Sequence, residues 1–429
     1  MATTSETHRA INAIWRIESA RIIAGLARLV RDVGVAEELA QDALVTALEQ
    51  WPQSGLPQNP GAWLMTAAKH RALDRLRRET MQERKHVEFG YELELDHDDA
   101  ALAREAALDD DVGDDLLRLL FVSCHPVLST EARLALTLRL LGGLTTDEIA
   151  RAFLVPEPTI AQRIVRAKRT LSEARVPFEV PPAGERAARL ASVLAVIYLI
   201  FNEGYSATAG SDWMRPALCD EALRLGRILA ELTPLESEVH GLVALMEIQA
   251  SRLAARCAAD GTPILLLEQN RARWDQLLIR RGLAALARAQ QLGGALGVYA
   301  LQAAIASCHA RARSADETDW PRIVALYDAL AQLSPSPVIE LNRAVAVSMA
   351  FGPAQALELV DALQSEAALR NYHLLPSVRG DLLARLERWH EASAEFVRAA
   401  ALTQNLRERA LLLDRAAECD RRLAAHPRQ

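Results

Sequence analysis

Apolar residues return at helical intervals along almost the whole chain, and the clearest case is residues 144–171, LTTDEIARAFLVPEPTIAQRIVRAKRTL. Ile149, Ala150, Phe153 and Leu154 share one helical side, and Ile160, Ile164, Ala167 and Leu171 share another. Thr145 followed three residues later by Glu148 predicts a capped helix start. Gly142-Gly143 predicts the end of the helix before it, and Pro156 and Pro158 bracket a break. Pro158 suits a first helical turn, where its missing N–H has no partner to lose. The stretch therefore reads as helix, tight turn, helix. The outward face of the second helix carries Thr159, Gln162, Arg163, Arg166 and Arg169. Amides and guanidiniums offer flat paired donors to base edges and cations to phosphates, which a helix lying in a major groove needs. A solvated basic hairpin has the same pattern, so the reading depends on what lies upstream.

Residues 11–85 form one helical block. Ile14, Ile17, Ile22, Ala24, Leu26 and Leu29 supply the first apolar stripe, which ends near Gly34. In 35–51, Val35, Leu39, Ala43 and Ala47 form a second, widened by Leu44 and Leu48. Glu37, Glu38, Gln41, Asp42, Thr46 and Glu49 lie mostly outside it, as a solvated face or an acidic docking face. Residues 52–61, PQSGLPQNPG, predict a loop. The helix of 62–78 turns basic as it proceeds: Lys69, His70, Arg71, Arg75, Arg77 and Arg78 against Asp74. Trp63 at its start reads as a core anchor, though cations beside an aromatic ring also suit single-stranded DNA.

Residues 87–115 are densely acidic and predict a solvated linker with some helix. Asp96, Asp98 and Asp99 lack the glycine and terminal glutamate of a calcium loop. Set between basic helices, this run can also imitate nucleic acid. Residues 116–141 are apolar-periodic, with a second helix starting at Ser129-Thr130-Glu131. Residues 176–182, VPFEVPP, predict a short hinge, and a long helical array follows to about 423.

Composition narrows the class. Half of the 429 residues are apolar, 5% are aromatic, and the net charge is −7. An all-α chain of two or three domains fits, and a general nucleic-acid coat does not. Five scattered cysteines without a CxxC pair fit a reducing cytoplasm. Cys124-His125 has no complementary metal ligands and reads as a helix-end pair. The apolar run 190–201 contains Ser192, is short for a membrane span, and reads as a buried helix. Neither a phosphate loop, a nucleophile elbow nor a zinc signature occurs, so Glu203, and His309 with Asp316 and Asp319, read as hydrogen-bonding or capping residues.

The order of these segments resembles the extracytoplasmic-function sigma factors of the sigma-70 type. VAEELAQDALVTAL resembles the family's core-polymerase-binding helix, AWLMTAAKHRALDRLRRE the helix that meets the minus-ten element, and GLTTDEIARAFLVPEPTIAQRIVRAKRTL the minus-thirty-five reader. The resemblance implies region two at 8–86, an acidic linker at 87–112 and region four at 113–175. It implies core RNA polymerase contacts at Glu37, Glu38, Gln41 and Asp42. It implies minus-ten contacts at Gln58, Asn59, Trp63, Lys69, Arg71, Arg75 and Arg78, with the loop holding a flipped base. Promoter DNA and core polymerase are then the partners. No cofactor, resident metal, membrane contact or catalysis of the chain's own is expected, because polymerase supplies the magnesium site.

The remaining half, 183–425, resembles the subgroup with a tetratricopeptide-like extension, thought to replace a separate anti-sigma factor. AVIYLIFNEGYSATAG, RWDQLLIRRG, YALQAAIASCHA, TDWPRIVALYDAL and SPVIELNRAVAV carry this likeness. The spacing agrees: 342–363 and 378–399 align as helix pairs, 221–232 with 239–246 is a looser copy, and 410–423 would cap the array. Such arrays form concave surfaces for a regulatory partner or ligand. The rival readings are a helix-turn-helix repressor, which has no use for the two upstream helices, and a scaffold that does not bind polymerase.

Overall fold

The computed structural model describes residues 4–87, 112–258, 261–293 and 296–425. The acidic run at 88–111, with Asp96, Asp98 and Asp99, lies outside the described residues. The fold is all-α, with 18 α-helices among the described residues and one parallel pair of two-residue strands. Strands this short leave no alternation to read in the sequence. Two compact units divide the chain, residues 1–196 and 197–429.

In the first unit α1 (Thr4–Val30), α2 (Val33–Ser54) and α3 (Pro60–Val87) pack on one another. Ile22, Ile23, Leu26, Leu39, Ala43, Trp51, Leu64 and Ala68 fill the core between them. The α1 stripe is shifted from the sequence expectation: Ile17 is 66% exposed, while Ile11 and Ile23 are buried. Helix α2 also runs further than expected. Pro52 sits inside its last turn, and the helix ends where Gly55, at φ 84°, donates its N–H to the Trp51 carbonyl. Buried Trp51 anchors that turn, and a proline so near a helix end loses little backbone bonding. The loop is thereby reduced to residues 55–59.

Then follow α4 (Val112–Ser123), α5 (Thr130–Leu140), α6 (Thr146–Phe153) and α7 (Glu157–Glu173). Ser129 caps α5 by accepting from the Ala132 N–H. The last two carboxylates of the acidic run belong to α4, and Asp115 is buried, 3.4 Å from Arg28 and 2.6 Å from Arg118. Cys124 closes α4; its thiol, pushed up to about 11 by burial, lies 3.4 Å from the Thr137 hydroxyl. His125 turns its Nδ1 to the Val127 N–H.

Helix α8 (Ala183–Tyr205) contains the boundary between the units. Its first half belongs to the first unit. Arg189 donates to the Phe121 carbonyl at 2.9 Å and Ser192 to the Cys124 carbonyl at 2.8 Å, while Arg133 donates to Ser192. The carbonyls at the end of α4 thus find side-chain donors. By length and composition α8 is apolar enough to cross a membrane, with mean hydropathy 1.4 in its most apolar window and half of that window buried.

The second unit continues with β1 (Ala209–Gly210), α9 (Pro216–Leu232) and α10 (Ser237–Ala250). An irregular passage with three short 3₁₀ turns leads to α11 (Gln276–Leu292) and α12 (Val298–Arg311). Helices α13 (Trp320–Leu333), α14 (Pro337–Ala350), α15 (Pro353–Ala362), α16 (Leu374–Arg385) and α17 (Trp389–Leu402) each pack on the next. After β2 (Gln404–Asn405), α18 (Leu406–Ala425) packs on α17. Small residues allow the close approaches. Ala344, Ala356, Ala392 and Ala399 are fully buried, with Phe396, Leu382 and Val360 between them. Strand β2 pairs with β1, and buried Asn405 donates to the Ala207 and Asp212 carbonyls, which ties the unit's first residues to its last helix. Glu203 pairs with Arg215 and accepts from Thr208, and Asp319 caps α13 through the Arg322 N–H.

Candidate nucleic-acid interface

Helices α6 and α7 make the turn that the spacing predicts. Thr145 accepts from the Glu148 N–H at 3.1 Å and Glu148 accepts from the Thr145 N–H at 2.9 Å, a complete capping box. Leu154 departs from the apolar stripe. It is the cap residue, in the left-handed region at φ 51°, and is 52% exposed. The chain reverses there without a glycine, a conformation that costs a branched side chain about 1 kcal/mol. Pro156 then caps α7, with Pro158 in its first turn.

Ile160, Ile164, Ala167 and Leu171 are buried beneath α7. Gln162, Arg166 and Arg169 are exposed, and Thr159 and Arg163 are half-buried beside them. Arg169 pairs with Glu173 along the helix at 3.1 Å. The outer face thus presents an amide, a hydroxyl and guanidiniums in one row.

On α2, Glu38 and Asp42 are exposed and Gln41 is half-buried. Glu37 is separated from them. It is 2% exposed and faces inward, where Arg139 of α5 donates to it at 2.6 Å and the Lys168 ammonium of α7 pairs with its other oxygen. Gln41 also donates to Glu37 at 2.6 Å. Two further pairs join the same groups of helices: Arg16 with Glu148, and Arg28 with Asp115. Gly143 lets the turn before α6 close on α1. Its φ is 63°, and a Cβ there would stand 2.9 Å from the Ser19 hydroxyl oxygen.

The loop before α3 holds exposed Gln58 and Asn59. Asn59 also caps α3, its side-chain oxygen accepting from the Ala62 N–H at 3.1 Å. Trp63 is half-buried, edge to face with Trp51 at 5.2 Å. Along α3, Arg71 donates to the Thr46 hydroxyl at 2.6 Å, and Arg75 lies 3.8 Å from Glu38. Lys69 is half-buried, and exposed Arg78 bonds the Asp74 carbonyl. Of the basic residues of α3, Arg71 and Arg75 are therefore held against α2, while Arg78 is exposed.

Sequence pattern does not single out Arg139 and Lys168. Lys168 precedes Arg169 in a basic run and looks equivalent to it. The useful signal is its position directly after buried Ala167, at the edge of the inward stripe.

Comparison with known families finds two matches within the first unit and one that extends into the second. The sigma-70 region 2 family matches residues 17–81, and the sigma-70 region 4 family matches 118–171. A family of unknown function matches 189–290. An uncharacterized protein of Rhizobium meliloti is 44% identical over 392 residues, 90% of each chain. The ECF RNA polymerase sigma factor SigK of Mycobacterium ulcerans is 30% identical over 155 residues, 35% of this chain and 78% of its own. The probable ECF RNA polymerase sigma factor SigI of Mycobacterium tuberculosis is 28% identical over 189 residues, 44% of this chain and 63% of its own.

Two helical regions with these matches, in this order, define a sigma-70-type factor. The chain belongs to the extracytoplasmic-function class of that family. It is an RNA polymerase sigma factor, and its partners are core RNA polymerase and promoter DNA.

Proposed function

We propose that the first unit carries promoter recognition and that the second, a tetratricopeptide-like array, modulates it in the cytoplasm. In this reading region two spans 8–86, region four 113–175, and the array 183–425. The exposed face of α2, with Glu38, Asp42 and half-buried Gln41, docks on polymerase. Glu37 holds α2 to α5 and α7 until docking separates them. Gln58 and Asn59, with Trp63, Lys69, Arg71, Arg75 and Arg78, serve the minus-ten strand. Thr159, Gln162, Arg163, Arg166 and Arg169 serve the minus-thirty-five duplex. The observation that carries the closed resting state is the buried Glu37–Arg139–Lys168 cluster. It joins the helix that would meet polymerase to the helix that would meet DNA.

The array is proposed to be required for activity, with regulation superimposed. A fused domain stands at an effective concentration on the order of millimolar over its neighbour, so even weak contacts form. The test is run-off transcription with core polymerase, comparing the full chain with a fragment ending at Val196, which keeps Arg189 and Ser192. The fragment is expected to bind polymerase and transcribe poorly. A fragment more active than the full chain would make the array a plain inhibitor.

A further inference from the structure

The irregular passage between α10 and α11 gathers three arginines around one set of rings. The Arg256 guanidinium lies 3.6 Å from the centre of the Tyr205 ring and 5.7 Å from that of Trp213. Arg252 sits between Tyr205 and Trp274, at 5.8 and 5.6 Å. Arg271 lies 4.8 Å from Trp274. Among the described residues no carboxylate forms an ion pair with any of the three, although the field of Glu317 reaches Arg271. Arg256 spends its bond on the Tyr205 carbonyl, and Arg271 on the carbonyls of His309 and Ala312 and the Thr318 hydroxyl. Arg252 has no acceptor for its side chain among the described residues.

The neighbours of Arg252 share that deficit. Among the described residues the Trp274 indole N–H and the Tyr205 hydroxyl are buried without a partner, and so is Nδ1 of His309, which lies against Trp320. Arg252 lowers the proton affinity of Arg256, Arg271 and His309 alike, after the larger effect of burial. Gathered cations and buried donors that lack an acceptor are costly unless something supplies one. The missing element is negative charge with several acceptor oxygens. Stacking on rings holds the guanidiniums in fixed orientation, which reduces the ordering cost of capture.

We propose that Arg252, with Trp274, Tyr205 and the flanking Arg256 and Arg271, binds a small oxyanion, a phosphate or a carboxylate group. The site lies wholly within the second unit, inside the segment that matches a family of unknown function. It does not depend on how the first unit meets polymerase or DNA. It gives the second unit a chemically defined input.

The test uses the full chain. Inorganic phosphate and succinate are each compared with sodium chloride at equal ionic strength while arginines are labelled with phenylglyoxal and mapped by mass spectrometry. At about ten times its dissociation constant a bound anion slows labelling of Arg252 roughly ten-fold, while exposed Arg273 reacts at an unchanged rate. Protection by phosphate alone, succinate alone or both identifies the group. Equal labelling of Arg252 in all three salts overturns the proposal. As a second measurement, the anion that protects should raise the thermal midpoint of the full chain, and Arg252→Gln should remove that rise. A rise that persists in the variant also overturns it.

Discussion

Glu37 shows how one side chain departs from the face its spacing assigns. It belongs to the acidic sequence of α2, yet it is buried where Arg139 and Lys168 converge. Removing one member of a buried ion pair leaves the others uncompensated, a loss of about 3 kcal/mol. Glu37→Gln should therefore lower the urea midpoint of the full chain with little change in slope. An unaltered midpoint would mean that the cluster contributes nothing to the closed arrangement. His309 makes a second residue-scale claim. Burial, with Arg252 and Arg271 nearby, pushes its imidazole down to about 4. The folded chain thus keeps it neutral where the unfolded chain takes up a proton. The burial therefore destabilises the fold in acid: the loss is absent above about pH 6.5, grows as pH falls toward 4, and levels off below at roughly 3 kcal/mol. Denaturant titrations across that window should show a slope that His309→Gln flattens.

At the scale of elements, the turn between α6 and α7 was the most legible part of the chain. Its capping box, its prolines and the buried row Ile160, Ile164, Ala167 and Leu171 all follow from local rules. Pattern failed where apolar spacing alone does not decide which way a residue faces. Pro52 stays helical because Trp51 anchors its turn, and Leu154 faces out because the chain reverses there. Asp115 enters the core because Arg28 and Arg118 meet it. Of these partners only Arg28 is distant in sequence. In the sequence, Tyr205 and Arg271 of the arginine cluster lie in polar stretches, NEGY and NRARW, set in apolar text, and nothing there joins them to Arg252 or Arg256. Tyr205, Arg252 and Arg271 come together through tertiary packing. For α7, the proposed base contacts separate by experiment. If Arg163 or Arg166 pairs with a guanine, its change to Ala costs about 1–3 kcal/mol at one promoter position. If it neutralises a phosphate, affinity falls uniformly and the salt slope drops by about one. Promoter binding indifferent to both changes would mean that this face of α7 meets protein.

For the whole molecule, the all-α architecture followed from apolar spacing, and the order of its sigma regions from the resemblance of three motif stretches to the family. The position of the boundary between units did not. Proline content marks 176–182, whereas the compact units divide inside α8, whose first half is bonded to α4 and α5 through Arg189 and Ser192. A helix that serves two cores has no composition shift at the point of transfer. The central claim remains that α2 presents its exposed carboxylates to polymerase. Its most direct test is co-purification of the full chain with core RNA polymerase, for the native sequence and for Glu38→Arg combined with Asp42→Arg. Both positions are exposed, so the fold should survive, as circular dichroism will check. Charge reversal at a docked pair costs several kcal/mol. The account predicts a stable complex for the native chain and none for the double variant. Equal recovery of polymerase with both would contradict it.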